Sequence, residues 1–306
     1  MKPSLRGAFY GLGAAAIWGG MYVVSDVVLK TIPPFTLLSI RLIMAAAILG
    51  GLLLARRRAF QLTARGWLAL LAVGFVGFGV SIGAQFVGTD HSTAVNGALI
   101  TSASPAFILV FAAVILRERL TPLRILAVVL ASIGVVVIVN PANADFSSVT
   151  FTGDLALAAA ALTWGLYSVL VRLVSARHDT LLVSTTALMG GLLLTLPASM
   201  LELQSRPIGA VDGGTILGIL YLGVISTAAA MWMWNRAFAL VDASTASLFF
   251  FAQPLVGTLL GVVLLGQALT PGLWIGSALI ILGVLVSMAS ARERELTSRA
   301  QLAHEN

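Results

Sequence analysis

Arg41 is the one unambiguous charge inside an apolar run of this sequence, in FTLLSIRLIMAAAILGG. It sits about two helical turns from the outer end of its expected helix. A cation in lipid needs a reason. Three are open here: the side chain snorkels to the interface, pairs with a carboxylate such as Asp26, or attracts an anionic group of a bound solute. Asp26 lies near the outer end of the preceding helix and could equally be solvated there. Around these two possible charge partners stand neutral groups suited to binding: Trp18, Tyr22, Gln85, Asn96, Trp164, Tyr167, Trp234 and Ser244.

Their spacing makes faces. On the first helix Gly11, Ala15, Trp18, Tyr22 and Asp26 recur at near i, i+4 intervals. Ala160, Trp164 and Ser168, with Tyr167 beside them, form the matching face of the sixth. Such aromatic faces either line a central cavity, mark the membrane interface or pack between helices. Trp18 and Trp164 fall mid-helix, which speaks against the interface. The glycines of the third helix (Gly74, Gly77, Gly79, Gly83, Gly88) suit close backbone approach. The amide of Gln85, one turn from Ser81, must face protein or water. Asn96 and Ser244 belong to the polar starts of the fourth and ninth helices. Those helices reach Pro105 and Pro254 at matching depth. A proline frees a carbonyl and kinks a helix, as a static bend or as a hinge or gate.

Catalytic arrangements are missing. The three histidines are His91, His178 and His304, and cysteine is absent. There is no HExxH, no paired intramembrane Asp, no Ser–His arrangement and no P-loop, so metal-dependent, serine-type and ATP-driven chemistry lack support. No cofactor is expected.

The elements that position these residues follow from composition. The 306 residues are 59% hydrophobic and 10% charged, against about 25% charged in a soluble domain. So much apolar surface calls for lipid as solvent. Ten runs are long enough to span a bilayer, at 7–29, 33–55, 66–88, 91–116, 122–140, 152–174, 180–201, 213–236, 240–265 and 271–290. Only Thr89-Asp90-His91 separates the third from the fourth. The first run is too long for a signal-peptide core and reads as a retained helix. With the N-terminus in the cytoplasm, Lys30 and Arg206 are the only basic residues outside, and Arg41 lies within a helix. The other 15 of the 18 Lys and Arg fall inside, the pattern of the positive-inside rule. The net charge of +6 therefore reads as membrane orientation, not as nucleic-acid binding. Both termini are expected in the cytoplasm, and the Asn140–Thr152 and Gly266–Pro271 loops outside.

The sequence also repeats itself. At an offset of 149, Pro105 matches Pro254, Thr121-Pro122 matches Thr270-Pro271, and Gly134 matches Gly283. At an offset of 146, Gly7, Trp18 and Gly19 match Gly153, Trp164 and Gly165. Five helices per half is an odd number, so the second half is expected inverted. RERLTPLR at 117–124 becomes GQALTPGL at 266–273, where Leu-Thr-Pro stays and three arginines vanish. The fold class read from this is all-α integral membrane, ten helices in two inverted five-helix repeats. Residues 7–140 form the first repeat, 152–290 the second, and 291–306 a cytoplasmic tail. Such repeats mark secondary transporters.

The Trp-Gly pair opening each half, the helix-4 and helix-9 prolines and the Leu-Thr-Pro turn before a Gly-rich last helix together resemble the drug/metabolite transporter superfamily, in its ten-helix EamA-type branch. The resemblance spans about residues 7–290. The repeated constellation carries it, not any single motif. It implies a bacterial inner-membrane, multi-pass exporter similar to those for amino acids, aromatic ones included. It also implies that helices 1, 3, 4, 6, 8 and 9 surround the substrate, with helices 5 and 10 peripheral. The family's glutamate before each Leu-Thr turn fits at Glu118 and is replaced by Gln267. The expected function is export of a small amphipathic metabolite by alternating access. The scarcity of in-membrane cations disfavours a sugar phosphate. A channel-like facilitator and a membrane enzyme are the alternatives. The expected partners are a small-molecule substrate and the bilayer, with the protein acting as a monomer.

Overall fold

A computed structural model describes residues 3–56, 62–118, 121–139, 148–241 and 243–266. Between 271 and 286 it describes all but 273, 280 and 284. The tail 291–306, most of the loop 140–152 and Gln267 lie outside the described residues. Every regular element described is helical. Among the described residues seven helices are long and apolar enough to cross a membrane, and their outer faces carry Leu54, Val114, Met200 and Leu217, all exposed, as lipid-facing surface requires.

The first two spans are α1 (Pro3–Val28) and α2 (Pro34–Ala55). The third is one rod built from α3 (Ala64–Gly74), a π-turn at Phe75–Ser81 and α4 (Ile82–His91). The residues expected to break it, Thr89, Asp90 and His91, are helical. The chain turns instead at Ser92, and Thr93 caps the next helix by accepting from Asn96 N at 3.0 Å. The fourth span is interrupted: α5 (Ala94–Thr101) ends, and α6 (Ser104–Ile115) begins after Ser102 and Ala103. Next come α7 (Pro122–Val139), α8 (Val149–Ser175) and α9 (Thr180–Ser205). Another rod joins α10 (Gly213–Leu220), a π-turn at Tyr221–Ala229 and α11 (Ala230–Leu240). A second interrupted helix follows as α12 (Ala243–Leu248), a 3-10 turn at Phe249–Phe251 and α13 (Ala252–Leu265). Of the ten expected spans, 122–140 and 240–265 correspond to α7 and to α12–α13. At 271–290 helical residues occur between 271 and 286.

Local chemistry sets the helix starts. Ser148, Asp179 and Asp212 accept from backbone N–H groups of their own first turns. Asp212, which precedes the apolar span Gly213–Leu240, is held below the usual carboxylate range by the Thr215 hydroxyl and N–H. At the other end of the interrupted helices, Arg117 (φ 55°) and Gly266 (φ 64°) both take the left-handed conformation. They are matched positions at the offset of 149. Glycine adopts this cap freely, while arginine adopts it at a cost of about 1–2 kcal/mol.

Packing runs across the halves. α1 lies against α11 and α13, while α8 lies against α4 and α6; α2 and α9 pack on each other. The Trp-Gly pairs show why. A Cβ on Gly19 would stand 2.7 Å from the Gln253 carbonyl and 2.9 Å from Gly257 N. One on Gly165 would stand 2.5 Å from Phe107 Cβ and 3.0 Å from Ile108 N. Positions 107 and 108 match 256 and 257, so the two contacts are exchanged copies. The absent side chains let each Trp-bearing helix reach the backbone of the other half's interrupted helix.

Candidate functional site

These contacts bring the Trp-bearing faces together at the centre. Trp18 and Trp164 meet edge to face at 5.3 Å with an interplanar angle of 89°. Trp234 packs on Trp18 at 5.2 Å and on Trp164 at 6.3 Å, and Phe250 completes the cluster at 5.4 Å from Trp234. The Trp18 indole donates from Nε1 to the Ser226 carbonyl at 2.9 Å, inside the second π-turn. The indole N–H groups of Trp164 and Trp234 are buried without a protein acceptor.

A small cavity sits against this cluster. Trp18, Trp164 and Phe250 form its aromatic side, and Met21, Ile82, Ala160 and Met231 its aliphatic wall. Gln85, Thr101, Ser104 and Gln253 supply its polar groups. Residues from both halves contribute. The space left, about 10 Å³, is room for about one water, so the site is closed around its centre.

The polar side is a network. Gln253 Nε2 donates to Thr101 Oγ1 at 2.9 Å and to Tyr22 Oη at 3.3 Å. Thr101 commits its own proton to the Gly97 carbonyl at 2.6 Å. The 2.6 Å contact between Tyr22 Oη and Thr101 Oγ1 is therefore donated by the tyrosine. Tyr22 thus stands behind the cavity and orients its polar wall. Thr101 and Gln253 lie at the two helix interruptions, and both line the cavity. Gln85 presents its amide to the cavity, with Nε2 4.0 Å from Met21 Sδ.

Other expected residues fall elsewhere. Tyr167 is buried beside the aromatic cluster, 4.8 Å from the Trp164 ring, and donates to Asn235 Oδ1 at 3.1 Å. Asn96 does not line the cavity: its Nδ2 donates to Ser92 Oγ at 3.2 Å and Asp154 Oδ1 at 3.3 Å, tying the start of α5 to α8. Short polar partners at a helix end captured this amide before the centre could. Ser244 lies in the backbone of α12, and its side chain lies outside the description.

The charges need the largest correction. Asp26 pairs with Lys30 at 3.5 Å, one turn along its own helix, and not with Arg41. Arg41 does not snorkel; it is 0% exposed. Its guanidinium donates from Nε to Thr227 Oγ1 at 2.9 Å and from Nη2 to Met21 Sδ at 3.4 Å and Ser226 Oγ at 3.5 Å. The Phe86 ring lies 4.6 Å below it.

The prolines also differ from a simple kink. Pro105 is in the first turn of α6, just past the break, where a missing N–H costs nothing. The Thr101 carbonyl is already satisfied by Ser104 Oγ at 2.7 Å. Pro254 opens α13 in the same way, as its third residue. The sequence reading passed over Met21, Thr101, Ser104, Phe250 and Gln253 as site residues. A signal existed for two of them: Ser104 and Gln253 each precede a matched proline, and both reach the cavity. The π-turns left no compositional trace, although they fall at overlapping matched positions and such turns gather at functional sites.

Comparison with known proteins agrees with this architecture. The family model for the EamA-like transporter family matches residues 5–140 and 151–289. An uncharacterized transporter of Archaeoglobus fulgidus is 24% identical over 280 residues, covering 90% of this chain and 95% of its own. The uncharacterized transporter YetK of Bacillus subtilis is 25% identical over 299 residues, covering 96% and 91%. One crystal structure of a protein shares the fold with a TM-score of 0.72 at 24% identity, over 94% of this chain and 98% of that one. With both halves matched and the apolar helices in place, the chain belongs to the EamA-like transporter family and is a multi-pass membrane transporter rather than an enzyme.

Proposed function

We propose that this protein is a secondary exporter of small metabolites, most specifically amino acids with an aromatic side chain, working by alternating access. The reading takes the chain as ten spanning helices in two inverted repeats, 7–140 and 152–290. Both termini are cytoplasmic, and the protein acts as a monomer in the bacterial inner membrane. The observation that carries it is the central cavity between the halves, with Trp18 and Trp164 on one side and Gln85, Thr101 and Gln253 on the other. An indole wall suits an apolar side chain, and a few fixed amides and hydroxyls suit a zwitterion.

Alternating access draws on the exchanged packing. Each Trp-bearing helix rests on the interrupted helix of the other half, so a tilt of one half moves its tryptophan and the partner's polar wall together. The closed cavity has no room for an amino acid, so a substrate enters only as α5–α6 or α12–α13 shifts. Purified protein in liposomes loaded with phenylalanine should show saturable counterflow of labelled phenylalanine. Uptake that rises linearly with concentration and shows no counterflow would favour the channel-like facilitator. Equal counterflow of alanine and phenylalanine would remove the aromatic preference.

A further inference from the structure

Among the described residues, Arg41 is a buried cation with no anion in contact. The nearby and flanking carboxylates are engaged elsewhere: Asp26 with Lys30, Asp90 with Arg206, Asp154 with Ser92 and Asn96, Asp179 with Arg56, Glu202 with Phe35 and Thr36, and Asp212 with Thr215. The guanidinium donates to two hydroxyls and a thioether and lies over a phenyl ring, and among the described residues Nη1 has no hydrogen-bond partner. Neutral partners compensate a desolvated charge poorly, and such a charge is retained where an anion completes it.

Met21 lies between this cation and the cavity, touching the first and lining the second. Its Sδ lies 3.4 Å from Arg41 Nη2 and 4.0 Å from Gln85 Nε2, and the same side chain lines the cavity wall. Methionine is unbranched and adaptable, so it can leave this position by rotation alone. The position matched to Met21 in the other half is Tyr167, whose hydroxyl is fixed on Asn235. The movable shield therefore belongs to one half only.

Resting on the exporter reading, we infer that Arg41 is the carboxylate anchor of the transported solute, screened by Met21 in the closed state and completed by the Gln85 amide. When Met21 rotates away, the carboxylate takes the place of its sulfur between the guanidinium and the amide. The guanidinium fork suits a carboxylate by two parallel N–H donors. The apolar part of the solute then lies against Trp18 and Trp164. The ligand class is an organic monocarboxylate with an apolar or aromatic body.

The test compares matched ligands on purified full-length protein in chloride-free buffer, read by thermal shift. 3-Phenylpropionate and phenylalanine should stabilise the wild type, while 3-phenylpropanamide and phenethylamine should not. Arg41→Met should weaken the two acids at least tenfold without lowering the melting temperature of the ligand-free protein, because an uncompensated charge has been replaced by a side chain of similar length. Met21→Ala should bind the acids about threefold or more tightly and leave the amide unchanged, and it carries the test if Arg41→Met does not fold. Equal shifts by acid and amide, no shift by any ligand, acid binding that survives Arg41→Met, or acid binding not improved by Met21→Ala would overturn the anchor. Counterflow separates this from the broader reading. If a neutral or cationic solute exchanges across liposomes but acids are not preferred, only the anchor falls. If acids bind through Arg41 but no solute exchanges, the exporter reading falls and the anchor stands.

Discussion

Trp18 and Trp164 touch ring edge to ring face, 5.3 Å apart, although 146 positions separate them in the sequence. They hold the same place in the two halves, and each sits one residue before a glycine that packs on the other half's interrupted helix. Their contact is thus where the two halves meet at the aromatic side of the cavity. Replacing either by alanine removes one aromatic contact from a bound solute, and the binding loss should be about tenfold, the size of one ring–ring interaction. Measured counterflow affinities for Trp18→Ala and Trp164→Ala, with monodispersity in detergent as the folding control, check this. Wild-type affinity in both variants would remove the cavity from the transport path.

Pro105 is the second residue of α6, which follows a break at Ser102 and Ala103. Proline also biases the residue before it away from the helical region. Pro105→Ala and Pro254→Ala let the interrupted helices run on, so counterflow should slow several-fold while the melting temperature changes little. Wild-type rates in both would assign the prolines to static packing.

Gly19 and Gly165 have backbone at 2.7–3.0 Å from an added Cβ. Gly19→Ala and Gly165→Ala should each destabilise by about 1–3 kcal/mol, the cost of overpacking a filled contact. Similar losses in the two variants, followed by thermal unfolding in detergent, are expected from exchanged contacts. A loss confined to one of them would mean that the contacts are not equivalent.

Arg206 forms a two-point pair with Asp90 and donates from Nη2 to the Leu29 carbonyl at 2.7 Å, joining the ends of α1, α4 and α9. The hydrogen bond to Asp90 raises the Arg206 guanidinium above its usual range. The arginine side chain is 42% exposed, so solvent screening limits the pair to about 1 kcal/mol. If this pair holds the outer end shut, Arg206→Gln raises the open population about fivefold. Impermeant thiol reagent applied outside should then modify Ser104→Cys faster, in a protein that has no other cysteine. An unchanged labelling rate would show that the pair does not close the site.

Ala176 and Ala210 are exposed beyond opposite ends of α9, which makes them reporters of orientation. Ala210→Cys should react with an impermeant reagent on intact cells, and Ala176→Cys only after permeabilisation. The reverse pattern would invert the orientation inferred from the Lys and Arg distribution.

Lipid-spanning character, the apolar runs and the pairing of Trp18 with Trp164 were legible from sequence. Each follows from residue type and linear spacing, and bilayer thickness converts a run of apolar residues directly into a span. The EamA-like family was legible as well, through a constellation that repeats along the chain. Tertiary structure decided the partners. Asn96 and Asp154 are 58 positions apart, and Gln253 and Tyr22 are 231 apart; no helix wheel relates such pairs. The wheel gives a face but not the helix that it meets, nor the distance. For that reason Asp26 fell to its own neighbour Lys30, Asn96 to a helix end, and Arg41 to the protein interior. The π-turns at Phe75–Ser81 and Tyr221–Ala229 depend on how neighbouring helices press on an otherwise ordinary apolar sequence, and that pressure exists only once the helices have packed.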